Sequence, residues 1–282
     1  MHRLVSLFIF ALVVLATNSY RSLVKGAETT LFLADGQTDS LWTVDLQTGF
    51  ATEVGSLGLD ANYVGLTYNG NDGQLYLSSN SGADTANNLY VVDQMTGAAS
   101  LVGNTGVANL TGLAFDPVNK VMYGGTGTGN SLYTINTTNA STTLVGSYGV
   151  SVSGQGLAFD PITQSLWLAD ALTDNLFEVN TMTGQASQVG FTSLTAPVGL
   201  AVDPLTGSIY SVDHLSDALY TLDRTTGTAT FIGQLGFDAF NVGLAARVSA
   251  IPEPSIINTC VALTAAFAVR RRRRRSMRAV SC

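Results

Sequence analysis

A marker tripeptide, Gly-Leu-Ala or Gly-Leu-Thr, returns five times in the 282 residues, at Gly65, Gly112, Gly156, Gly199 and Gly243, with separations of 47, 44, 43 and 44. A repeat of that size admits few architectures, because each unit is one supersecondary element that buries its apolar face only against its neighbours. Within a unit, short apolar runs broken by turn residues read as four strands, and in the unit opening at Gly156 they cover 156–159, 165–169, 175–179 and 186–189. The first break carries Asp-Pro at Asp116-Pro117, Asp160-Pro161 and Asp203-Pro204. Proline presets the φ of a tight turn and the aspartate accepts local backbone hydrogen bonds. In the third break Asp45, Asp93, Asn180 and Asp223 lead, four residues on, to Gly49, Gly97, Gly184 and Gly227, each preceded by threonine. Glycine supplies positive φ there without steric cost. The middle unit departs from this, with Asn136 leading to Asn139-Ala140.

Four strands in 40 to 45 residues is the signature of a β-propeller blade. Complete units open at Gly65, Gly112, Gly156 and Gly199; a lone first strand, 243–248, is left at one end and three strands, 30–33, 41–44 and 51–54, at the other. Together these make a fifth blade. The expected fold is therefore all-β, a five-bladed propeller over residues 28–250 whose edges are removed by exchange of strands between the two chain ends. The pattern Gly-Leu-Ala-Phe-Asp-Pro at 156–161, Leu-Trp-Leu-Ala-Asp at 166–170 and Leu-Phe-Glu-Val-Asn at 176–180 resembles the YWTD, NHL and SMP-30-like propellers. That class usually has six blades and includes receptors, scaffolds and metal-dependent lactonases, so the resemblance implies a ring and selects no function.

Both ends read as targeting signals. His2 and Arg3 precede an apolar run, 4–16, and then small polar residues, the layout of a secretory signal peptide over 1–27. Ala16, Ser19 and Ala27 are the candidate residues before the cut. The other end, 251–282, has Pro252, Glu253 and Pro254, an apolar stretch over 256–269, and then Arg270, Arg271, Arg272, Arg273, Arg274 and Arg275. The prolines keep the chain extended and accessible, and the arginines resist crossing a bilayer. The 15 residues from 255 to 269 would span about 22 Å as a helix against a hydrocarbon core of about 30 Å, which suits a transient stop better than a permanent anchor. This order of Pro-Glu-Pro, apolar segment and basic cluster resembles the PEP-CTERM sorting signal of exopolysaccharide-producing Gram-negative bacteria. The resemblance implies processing by an exosortase-type membrane enzyme and placement in the periplasm, the envelope or the extracellular matrix. It implies no activity.

Ten of the 13 basic residues lie in these two ends, leaving Lys120, Arg224 and Arg247, while all 20 acids lie between Glu28 and Glu253. The segment 28–254 thus carries 3 − 20 = −17. Such a surface repels nucleic acid and anionic headgroups and favours cations or neutral partners such as glycans. Cys260 and Cys282 both fall in the tail, so the propeller has no disulfide, no thiol nucleophile and no cysteine metal site.

Candidate chemistry gathers in the loops. Aromatics recur on the second strand of every unit, at Phe32, Tyr76, Tyr123, Trp167 and Tyr210, and on the third, at Trp42, Tyr90, Tyr133, Phe177 and Tyr220. Recurrence of that strictness indicates packing between blades rather than sugar stacking. The loop joining strands two and three opens with Asp35, Ser79, Thr126, Asp170 and Asp213, and four residues later come Asp39, Asn130, Asp174 and Asp217. Asp60, Asn62, Asp238 and Asn241 lie in the connections that share this face. An oxygen-rich rim of this kind suits Ca²⁺, although no Asp-x-Asp-x-Asp-Gly loop exists and the same residues serve as solvated turn residues elsewhere. His214 beside Asp213 is the one histidine outside the leader, no Gly-x-Ser-x-Gly elbow is present, and Glu53 and Glu178 fall on outer strands. Asp170 and Asp213, on adjacent blades, are the acids that a paired-carboxylate hydrolase would use. Two readings stand: an exported binding or structural module contacting exopolysaccharide or an envelope protein, and a metal-dependent hydrolase of lactones or glycans on the same face.

Overall fold

The structure, a computed structural model, describes residues 27–80, 86–153 and 155–249. Of the leader expected over 1–27 only Ala27 is among them, and the tail with Pro252 to Arg275 lies outside them. No helix among the described residues is long and apolar enough to cross a membrane. Residues Thr29–Val248 form one compact unit.

Twenty strands make five antiparallel four-stranded sheets. In chain order they are β1 (Glu28–Asp35), β2 (Ser40–Val44) and β3 (Ala51–Ser56), then β4 (Gly65–Asn69), β5 (Gln74–Ser79), β6 (Asn88–Val92) and β7 (Ala99–Asn104). The middle of the chain gives β8 (Leu110–Asp116), β9 (Val121–Thr126), β10 (Ser131–Ile135) and β11 (Thr142–Ser147), followed by β12 (Gln155–Asp160), β13 (Ser165–Asp170), β14 (Asn175–Val179) and β15 (Ala186–Phe191). The last complete blade is β16 (Pro197–Val202), β17 (Ile209–Asp213), β18 (Ala218–Leu222) and β19 (Ala229–Gln234). The final strand, β20 (Gly243–Ser249), pairs with β1 in the order β20-β1-β2-β3. The five blades and their closure by strand exchange are as the repeat count requires. Several strands run one or two residues past the sequence expectation, because buried loop-opening residues such as Asp170 still pair across the sheet, in that case with Asn175.

Five hydrophobic clusters fill the molecule, one at each blade-to-blade interface. Each takes in one of the five second-strand aromatics, Tyr210, Phe32, Tyr123, Trp167 and Tyr76, all at most 9% exposed. These rings are therefore core, and burying each contributes about 1.5–3 kcal/mol.

Two glycine seams set how closely the blades pack. On the inside, a Cβ on Gly65 would lie 2.9 Å from the Leu113 nitrogen, and one on Gly243 2.8 Å from the Leu66 nitrogen, so the recurring marker glycine is the place where neighbouring inner strands pass backbone to backbone. The leucines that follow, Leu66, Leu113, Leu157, Leu200 and Leu244, are at most 2% exposed and close a ring about the axis. At the rim, a Cβ on Gly55, Gly146, Gly190 or Gly233 of the outer strands would overlap the carbonyl oxygen of Thr96, Thr183, Thr226 or Thr48 in the next blade. Each of these glycines sits at a break in register between strands three and four, for example opposite Leu41/Trp42. Gly103 fills the same place against Ala140, which takes the left-handed φ of 62° that glycine holds in the other four turns.

Candidate functional site: the acid-rich loop face

The face formed by the loops between strands two and three and by the connections between blades carries every acid singled out as a candidate ligand. Asp35, Ser79, Thr126, Asp170 and Asp213 are at most 3% exposed, and their oxygens are used internally. Asp35 accepts from the backbone nitrogens of Phe240 at 2.7 Å, Thr38 at 2.7 Å and Gln37 at 3.2 Å, and from the Thr38 hydroxyl at 2.7 Å. Burial, which pushes the Asp35 carboxyl up from its ordinary value, outweighs these bonds, which pull it down. Asp170 accepts from the Ser153 and Thr173 nitrogens at 2.6 and 3.0 Å and from the Thr173 hydroxyl at 2.7 Å. Asp213 accepts from the Thr195 and Leu215 nitrogens at 3.0 and 2.9 Å. Each aspartate thus closes its own loop and ties it to the connection arriving from the preceding blade.

The second row, three aspartates and an asparagine, does a related job. Asp39, Asn130, Asp174 and Asp217 all have φ between 46° and 54°, a left-handed conformation that Asp and Asn adopt more readily than other side chains. Their carbonyls accept from Leu57, Tyr148, Thr192 and Leu235 at 2.8 Å. Asn87, φ 61°, holds the corresponding place in the first complete blade, a residue that the sequence spacing hides because its loop is longer. Side-chain oxygens of Asp39, Asn130 and Asp217 each accept from a backbone nitrogen 22 residues on, Ala61, Val152 and Ala239, at 2.7, 2.7 and 3.0 Å. Asp174 is the exception. From Asp39, Asn130 and Asp217 to the next marker glycine is 26 residues, but from Asp174 to Gly199 it is 199 − 174 = 25. The shorter connection brings no nitrogen to Asp174, and its Oδ1 is buried without a hydrogen bond. Burial, then the charges of Asp170 and Asp213, push its carboxyl up. No group of three His, Cys, Asp or Glu side chains among the described residues is arranged to hold a metal ion.

His214 does not pair with its neighbouring acid. Both Asp213 oxygens serve backbone nitrogens, and the His214 ring lies edge-on to Phe240, centroids 5.2 Å apart. Glu53 and Glu178 accept from Ser40 and Ser165 hydroxyls at 3.0 and 2.6 Å, out on the blades.

The face also carries two features that the sequence pattern does not mark. Tyr63 and Phe240 are 47% and 42% exposed on the connections before β4 and β20. The Asn241 side chain donates to Asn62 Oδ1 at 2.5 Å, and Gln37 donates to Asp238 at 3.3 Å. A signal existed in the parallel segments Asp60-Ala61-Asn62-Tyr63 and Asp238-Ala239-Phe240-Asn241, although exposure is a property only the fold reveals. Chemically the patch offers two aromatic rings, amides and carboxylates on rigid loops, the groups that contact a neutral polyhydroxylated surface.

No family model matches the sequence, and no curated protein matches it. Solved structures do. A chain of the nidogen–laminin complex superposes with a TM-score of 0.56 at 12% identity, over 79% of this chain and 100% of that one. A protein of unknown function from Bacteroides thetaiotaomicron superposes with a TM-score of 0.51 at 14% identity, over 76% of this chain and 66% of that one. At such identities the likeness speaks to the fold, and with the five sheets it makes this chain a β-propeller.

Proposed function

We propose that this chain is an exported binding or structural module of the cell envelope or exopolysaccharide matrix, and that it makes contact through the acid-rich loop face. The observation that carries this reading is the use of the buried carboxylates: Asp35, Asp170 and Asp213 are bound to backbone nitrogens, so they stiffen loops rather than meet a substrate. Exposed Tyr63 and Phe240 on those stiffened loops supply a contact surface. Likeness to a chain from a nidogen–laminin complex fits such a role. The tail, with Pro252, Glu253, Pro254 and Arg270 to Arg275, is the proposed sorting signal, read by an exosortase-type enzyme.

Co-sedimentation with the producing organism's exopolysaccharide tests the contact, with calcium and with chelator. Binding that Tyr63→Ala and Phe240→Ala weaken at least fivefold supports the module, and absence of binding in both conditions overturns the matrix contact and leaves an envelope protein as the partner. Replacing Arg270 to Arg275 by glutamine tests the sorting signal, and unchanged envelope fractionation overturns that part. One observation favours the hydrolase alternative: the unbonded Asp174 oxygen beside Asp170 and Asp213. Turnover of a lactone or glycan that disappears in a folded Asp174→Ala protein would decide for the enzyme.

A further inference from the structure

The opposite end of the axis is built for a different ligand. Inner strands alternate side chains between the axis and the sheets, so every second residue after the marker glycine forms a layer. The leucine ring is the first layer. Above it a waist lined by the marker glycines has no room for a water molecule, so the axis is closed there. Below it the second layer is unequal: Tyr68, Phe115 and Phe159 are aromatic, whereas the aligned residues of the next two blades are Val202 and Ala246. The missing bulk leaves a blind cavity of about 300 Å³. Its mouth, the third layer, is framed by Pro117, Pro161, Pro204 and Val248. From leucine floor to mouth is four residues along the strands, about 13 Å.

No charged side chain lines this tube. Apart from Thr67 and the Tyr68 hydroxyl the lining side chains are apolar, and a hydrocarbon chain is the occupant that such side chains hold best. Immediately before the mouth prolines in the chain stand Asp116, Asp160 and Asp203, at most 5% exposed; Asp160 is paired with Arg224 at 3.3 Å, which leaves Asp116 and Asp203 to disfavour an anionic headgroup. Val118, Ile162 and Leu205, 56%, 55% and 46% exposed, follow the same prolines and add exposed apolar surface to those turns.

We propose that this cavity binds the alkyl or acyl chain of a neutral single-chain amphiphile, entering end-on with the chain terminus on the leucine floor and the headgroup at the prolines. A chain of about ten carbons fills the depth. Affinity rises about threefold to fourfold per methylene until the tube is full.

The test uses the full chain and monodecanoylglycerol carrying a diazirine near the end of its acyl chain. Irradiation is expected to label the peptides that contain Leu66, Phe115 and Leu157, and unlabelled monoacylglycerols are expected to compete in the order decanoyl over octanoyl over hexanoyl. Ala246→Trp fills the cavity and lowers that labelling at least tenfold, with native circular dichroism retained. Val248→Trp, which blocks only the mouth, gives the same loss and stands in if the first variant does not fold. Decanoate, with the same chain and a charged head, competes at least fivefold less well. Labelling confined to residues 256–269, or labelling at the axis unchanged in both variants, overturns the site, and equal competition by decanoate overturns its preference for a neutral head.

Discussion

At Gly156 a Cβ would lie 2.6 Å from the Leu200 nitrogen and 2.7 Å from the Gly199 carbonyl carbon, both backbone atoms of the neighbouring inner strand. Nothing there can rotate aside, so Gly156→Ala has to push two blades apart and is expected to cost about 2–3 kcal/mol. Gly58 has a positive φ of 72° but open space around it, and Gly58→Ala is expected to cost only about 1 kcal/mol, the left-handed penalty. Urea unfolding of both variants separates the terms, and equal losses would refute the seam. Charge at single residues acts with opposite signs on the two faces. Asp174, pushed above the ordinary 3.8, holds its proton more tightly folded than unfolded, so its ionisation costs stability as pH rises from 3.8 through the folded value. Asp174→Asn should raise Tm at pH 7 and leave it unchanged below pH 3.8. Asp223 is the reverse case. Hydrogen bonds from the Thr225 hydroxyl, then from the Thr225 and Thr226 nitrogens, hold it down to about 2, so its contribution is present above 3.8 and is lost as pH falls through about 2. Asp223→Ala therefore lowers Tm at pH 7, and the difference shrinks across that acid window.

Among the elements, β20 matters most for its length. It supplies the inner strand of the fifth blade, pairs with β1, and carries Leu244 into the leucine ring. Without it, β1 becomes a free edge and the cluster containing Leu31, Leu33 and Val198 opens to water. A chain ending at Val242 is expected to lose its cooperative melting transition and to aggregate, which calorimetry would report; a retained sharp transition would mean that the ring does not need closing. This closure is legible in the amino-acid sequence, because five glycine markers and two leftover strand groups admit few other arrangements. The second glycine seam is less visible. Gly55, Gly146, Gly190 and Gly233 look like strand interruptions in sequence, and only their approach to the Thr96, Thr183, Thr226 and Thr48 carbonyls explains them. The candidate acids are legible by position and misleading by type: carboxylates suggest ligands, but whether Asp170 faces solvent or a ring of backbone nitrogens depends on how far the connection at Ser153 reaches. The axial cavity is hidden for a similar reason, since Val202 and Ala246 are ordinary core residues until the register sets them opposite three aromatics.

For the whole ring the dominant long-range force is self-repulsion. Segment 28–254 carries −17, and Arg224 with Asp160, 3.3 Å apart, is the ion pair found among the described residues. Screening should then stabilise: raising NaCl from about 10 to 150 mM shortens the Debye length from about 30 to 8 Å and is expected to raise Tm. Calcium separates screening from coordination. Asp35, Asp170 and Asp213 are at most 3% exposed and are held by backbone nitrogens, so a cation could reach them only if their loops opened. At matched ionic strength calcium is therefore expected to shift Tm no more than magnesium does. A calcium shift that exceeds magnesium and disappears in Asp174→Asn would instead place a cation at Asp174, whose buried Oδ1 has no hydrogen bond, and the loop face would then be a metal site rather than a rigid contact surface.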